Sequence, residues 1–100
     1  MNVTIEKTEQ GCVISINGRL DTITSNQFEI EVRPALEMEA KEIVLDCRDL
    51  AYISSSGLRQ FLMIRKMSTI KGANVIVTNL SEDIRKTFEI TGFNELFEIR

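Results

Sequence analysis

Apolar residues recur along this 100-residue chain with two periods, and the switches between them mark its elements. In residues 3–8, VTIEKT, Val3 and Ile5 alternate with Thr4 and Glu6, the pattern of a half-buried strand near a sheet edge. After a turn at Glu9-Gln10-Gly11, residues 12–17, CVISIN, set Cys12, Ile14 and Ile16 on one face. Two such runs, short and close together, predict an antiparallel hairpin. Gly18-Arg19-Leu20-Asp21 closes the second strand.

The period then lengthens. Thr24 and Gln27 have the spacing of a capping box, which predicts a helix start. Phe28, Val32, Ala35 and Leu36 follow on one face, and Pro34, the only proline, is expected to kink or split this helix. Residues 43–47, IVLDC, and 74–78, NVIVT, are short apolar runs of the kind found in central parallel strands. Between them, residues 56–70 spread Leu58, Phe61, Leu62, Met63, Ile64, Met67 and Ile70 around most of a helix, which predicts burial on more than one side. Lys71-Gly72 ends it, with a cation in the last turn and a glycine beyond. Ser81 caps a third helix, with Glu82 and Asp83 in its first turn, Ile84 and Phe88 paired, and Thr91-Gly92 at its end. Leu96, Phe97 and Ile99 make a short last strand or an extended tail.

The order is β-β-α-β-α-β-α-β. It predicts a single α/β domain over residues 1–100, with a mixed four- to five-stranded sheet, a parallel core and helices covering it. In such sheets, ligand and partner surfaces gather at the carboxyl ends of the parallel strands. The segment leaving strand 43–47 is AYISSSGLRQF, residues 51–61, with three consecutive serines and a glycine at a helix start.

Composition narrows the chemistry. Hydrophobic residues are 43% and charged residues 27%, as in a soluble globular protein. The net charge of −3 argues against nucleic acid as a partner, because phosphate backbones require clustered Lys and Arg. Cys12 and Cys47 lie inside apolar runs with no CxxC, which reads as two small core residues in a reducing compartment. No signal peptide and no membrane-length apolar run is evident, so a cytoplasmic location is expected. The chain has no histidine, which removes Ser-His hydrolases, His-zinc sites and histidine acid–base chemistry. GxxxxGK[ST], GxGxxG and GxSxG are all absent, so no nucleotide loop or nucleophile elbow is in view. No catalytic residue, metal site or cofactor is expected.

One serine before a helix is an ordinary cap. The same position also suits a phosphate, because the first turn of a helix offers free N–H groups and the positive end of the dipole. A phosphate adds about −1.5 to −2 charges at neutral pH, felt chiefly by whatever docks there. Ser54, Ser55 and Ser56 divide these roles, with Ser56 expected to support the helix start.

Residues 45–58, LDCRDLAYISSSGL, resemble the signature of anti-sigma factor antagonists of the STAS family (sulfate transporter and anti-sigma factor antagonist). That signature is a strand ending in L-D, a short loop, then D-S-S-G-L-G opening a helix. Gly18-Arg19-Leu20-Asp21 is similar to the family's G-x-L-D, and residues 91–97, TGFNELF, to its closing T-G-L-x-x-L-F. The likeness spans nearly the whole chain and implies the STAS fold. It implies that Ser55 is the phosphorylation site and that the 18–25 loop, with Asp21, Thr22 and Thr24, joins Ser54, Ser56, Gly57, Leu58 and Arg59 on a partner surface. Asp46 is expected to bond loop amides after its strand. Two departures stand out: Ser54 replaces the usual aspartate and Arg59 the usual glycine, the latter within reach of a phosphate on Ser55.

The implied function is an anti-sigma factor antagonist that is a substrate and a switch, not an enzyme. Its implied partners are an anti-sigma factor, a serine kinase of the ATP-binding GHKL type, and a serine phosphatase. Unphosphorylated, it would bind the anti-sigma factor and free a sigma factor for transcription. A monomer or weak dimer with no membrane span is expected. The alternatives are a STAS subunit of an ABC-type lipid transport or other signalling complex, and an enzyme with a serine nucleophile.

Overall fold

The computed structural model describes all residues from Met1 to Arg100. Strands β1 (Asn2–Lys7) and β2 (Gly11–Leu20) form the expected antiparallel hairpin, with Val3 opposite Ile16 and Ile5 opposite Ile14. Helix α1 (Ser25–Glu37) leads to β3 (Glu42–Asp46), which lies parallel to the first half of β2. Strand β4 (Leu50–Ile53) precedes α2 (Ser55–Ile70), and β5 (Asn74–Thr78) then pairs parallel with β3. Helix α3 (Glu82–Thr91), a 3-10 turn (Phe93–Glu95) and β6 (Glu98–Ile99) complete the chain.

The sheet runs β1-β2-β3-β5-β6, with β4 attached to the far end of β2. It has six strands, one more than the upper end of the expected range. The extra strand is β4, which pairs parallel with Gly18–Leu20 and extends β2 past the predicted end of its run. Its register slips between Gly18 and Arg19, so only Leu50 and Ile53 are buried while Ala51 and Tyr52 face out. That slip erases the period of two by which a strand is recognised.

Cys12, Ile14, Ile16, Ile43, Leu45, Val75 and Val77 project from one face of the sheet. They share a single core of 21 residues with Phe28, Val32 and Leu36 of α1, Leu58, Phe61 and Ile64 of α2, and Ile84 and Phe88 of α3. Phe61 meets Phe88 edge to face at 6.1 Å, and Phe88 meets Phe93 at 5.7 Å, which locks α2, α3 and the chain's end together. Both cysteines are free and buried. No helix is long and apolar enough to cross a membrane.

Several local expectations need correction. The capping box at Thr24 and Gln27 does not form: Thr24 makes no capping bond, because Asp21 organises the turn in its place. Pro34 does not split α1; it sits exposed near the helix end, and the carbonyl it leaves at Ile30 belongs to a residue that is 71% exposed. Helix α2 is less enclosed than its composition suggests. Leu58, Phe61, Ile64 and Ser68 form one buried stripe, whereas Leu62 and Ile70 are 37% and 78% exposed. Lys71-Gly72 ends α2 as expected, with the Lys71 N–H donating to the Ser68 carbonyl and Gly72 at φ +78°, but the cation is used elsewhere: its ammonium donates to the carbonyl oxygens of Leu36 and Met38 at the end of α1. The third helix is as read, with Ser81 accepting from the Ile84 N–H and Gly92 in the left-handed conformation at φ +80°.

Candidate functional site

The polar residues singled out in the sequence meet where β2 and β4 end side by side. The pairing of β4 with β2 continues one residue further: the Ser54 N–H donates to the Leu20 carbonyl at 2.9 Å. That bond holds the start of α2 against the end of β2. Gly57 makes the contact possible. A Cβ there would lie 2.7 Å from the Leu20 carbonyl oxygen and 2.7 Å from Ile53 Cγ1, so only glycine lets the first turn approach this closely.

The three serines have three different environments. Ser54 is the helix cap, with extended backbone and a hydroxyl that accepts the Gly57 N–H at 3.2 Å. Ser56, expected to support the helix start, does something else. Its hydroxyl accepts from Arg59 Nη2 at 3.1 Å and lies 3.3 Å from Thr22 Oγ1, so it joins α2 to the loop after β2. The Ser55 side chain is exposed and makes no hydrogen bond within the protein. Serine and aspartate are both good N-caps, so Ser54 keeps the capping role while removing a charge from the rim.

Asp21 organises the facing loop. Its Oδ1 accepts the amides of Ile23 at 3.0 Å and Thr24 at 3.1 Å, and its other oxygen pairs with Arg19 at 3.7 Å. The Thr24 amide chiefly, helped by the Ile23 amide and Arg19, holds this carboxyl below its ordinary range against a smaller opposing effect of desolvation. Thr24 is committed within the loop, donating its hydroxyl to the Arg19 carbonyl at 2.8 Å and accepting the Asp21 N–H at 3.0 Å. Thr22 is exposed and faces Ser56. Asp46 bonds the Arg48 amide and the Asn79 side chain, both at 3.0 Å, and so tethers the loop between β3 and β4.

Not every residue assigned to the surface lies on it. Leu58 is 8% exposed and belongs to the core, and Gly57 is buried against Leu20 and Ile53. They shape the surface from beneath, because the helix must turn an apolar side inward. Within the 18–25 loop Ile23 is 88% exposed, and one surface residue outside it went unassigned: Tyr52, which carries the Arg19 guanidinium 4.3 Å from its ring centre. The signal for Tyr52 was its pairing with Arg19 in a β4 register that the sequence pattern hides. No group of three or more Cys, Asp or Glu is placed to hold a metal ion.

These features define an α/β domain whose exposed chemistry is gathered in two loops at the carboxyl ends of neighbouring parallel strands. The chain belongs to the STAS domain family, whose profile matches residues 2–100. The anti-sigma-B factor antagonist of Bacillus subtilis is 27% identical over 99 residues, covering 99% of this chain and 90% of that protein. In fold, the chain is similar to the anti-sigma factor antagonist SpoIIAA in its unphosphorylated form, with a TM-score of 0.76 and 21% identity over 99% of this chain and 87% of that one. The Bacillus cell fate determinant SpoIIAA in its phosphorylated form gives 0.75 and 22% over 99% and 91%.

Proposed function

We propose that this protein is an anti-sigma factor antagonist switched by phosphorylation of Ser55. Unphosphorylated, it docks through the Ser54–Arg59 and Asp21–Thr24 segments on an anti-sigma factor that is itself a serine kinase of the ATP-binding GHKL type, in the cytoplasm. The sigma factor held by that partner is released. Phosphorylation ends the complex, and a serine phosphatase restores it. The protein acts as binding partner and substrate, with no catalytic residue of its own.

One observation carries the choice of acceptor. Of the three serine hydroxyls, only that of Ser55 is both exposed and uncommitted; Ser54 caps α2 and Ser56 holds Thr22 and Arg59. A kinase can reach Ser55 without breaking a bond that supports the fold. The relatives named as anti-sigma factor antagonists support the partner class, and the phosphorylated SpoIIAA shows that a similar fold can carry the modification. Introducing like charge at an interface costs several kcal/mol, and each ~1.4 kcal/mol is tenfold in affinity. A single phosphate is therefore sufficient to dissociate the complex without refolding the domain.

The test is affinity capture with ADP or with ATP, followed by mass spectrometry of the captured protein and of the bait. A GHKL-type kinase retained with ADP and lost with ATP, with one phosphate on Ser55, is the expected result. A phosphate that persists in Ser55→Ala would overturn the assignment, and recovery of an ATP-binding cassette subunit would overturn the function.

A further inference from the structure

We infer that Arg59 transmits the state of Ser55 to the Asp21–Thr24 loop, by leaving Ser56 for a phosphate on Ser55. The inference rests on Ser55 as the acceptor proposed above. Arg59 is an oddly placed cation. It lies near the positive end of the α2 dipole, and the first turn of α2 has no acidic residue, whereas α3 begins with Glu82 and Asp83. The ion pairs of the protein are Arg19–Asp21, Arg33–Glu29 and Arg100–Glu98, so Arg59 has no carboxylate partner. Its hydrogen-bond partner is a neutral hydroxyl, Ser56 Oγ at 3.1 Å.

Helical side chains lean toward the N-terminus, and residues three and four apart lie on one face. The Arg59 head group therefore lies over the turn that carries both Ser55 and Ser56. A phosphate on Ser55 offers three anionic oxygens in place of one neutral one, and charge-assisted bonds are roughly twice as strong. The guanidinium moves to the phosphate. The Ser56 and Thr22 hydroxyls lie 3.3 Å apart and either can donate; once Arg59 leaves, the neighbouring phosphate oxygens compete for both hydroxyl protons. A hydroxyl proton drawn to the phosphate no longer bridges Ser56 and Thr22, which weakens the side-chain bond that ties the Thr22 loop to α2. The partner then meets a new charge together with a loosened loop bearing exposed Ile23.

The experiment installs phosphoserine at position 55 of the full chain by codon suppression, with and without Arg59→Gln, so that no kinase is required. Phosphorus NMR reads the second phosphate ionisation. Its midpoint is expected to be lower with Arg59 than with Arg59→Gln by roughly half a unit to one unit, below the range for buried pairs because the site is exposed. The Thr22 and Ile23 amide shifts are expected to change on phosphorylation in the native chain and to change by less than half as much in Arg59→Gln. Equal midpoints would overturn the pairing, and a lowered midpoint with unchanged loop shifts would overturn the transmission. Failure of the Ser55 reading is distinct: kinase treatment would modify another residue while installed phosphoserine still titrated low.

Discussion

Gly57 and Leu20 meet so closely that a single methyl group on Gly57 would fall 2.7 Å from the Leu20 carbonyl oxygen. The obstacle is backbone, and it accepts the Ser54 N–H, so it cannot yield without releasing the start of α2. Gly57→Ala should destabilise the protein by about 2 kcal/mol, in the range of overpacked sites. A urea titration measures this, and an unchanged midpoint would show that α2 shifts freely on the sheet.

Ser54 allows a cleaner separation of capping from charge. Ser54→Ala removes the bond to the Gly57 N–H and should cost about 1 kcal/mol. Ser54→Asp keeps a capping oxygen and adds a favourable charge at the dipole, so its stability should equal or slightly exceed that of the native chain. Equal losses in both variants would refute the cap.

The depressed ionisation of Asp21 gives a pH dependence of definite sign. Its carboxylate is stabilised in the folded state, so the contribution is present above the ordinary value of 3.8 and is lost as pH falls through the lower folded value. The Ile23 and Thr24 amides, which it accepts, should titrate together with a midpoint below 3.8 in an NMR series. A midpoint at or above that value, or the same titration in Asp21→Asn, would contradict the geometry.

Ser68 offers a stabilising change far from the loops. It is 1% exposed, and its hydroxyl has no partner inside the core stripe of α2. Ser68→Ala removes a desolvated hydroxyl and improves helix propensity, so stability should rise by about 1 kcal/mol. Loss of stability on denaturation would mean that the hydroxyl is bonded in solution.

What could be read from the chain and what could not divide along a physical line. The third helix was legible from end to end because its signals are local: Ser81 at the cap, two acids, then Gly92. The hairpin and the buried strands followed from period and β-branching. Strand β4 escaped because its slipped register hides the alternation, and the destination of the Lys71 ammonium was missed because its partners, Leu36 and Met38, are distant in sequence. The serine cluster was visible as a candidate, but its division of labour was not. Ser56 is defined by Thr22, 34 residues away, and Gly57 by Leu20; neither contact leaves a trace in local spacing.

The bond from Ser54 to Leu20 also has a consequence for the order of events in folding. It closes a long excursion of the chain, one that contains α1 and β3, and long closures are completed after local ones. The acceptor serine is local information, whereas its surroundings exist only once that closure is made. On the proposed reading, phosphorylation thereby reports that the chain has finished folding. A peptide spanning residues 48–62 should be modified far more slowly than the intact protein, and equal rates would show that the kinase reads the segment alone.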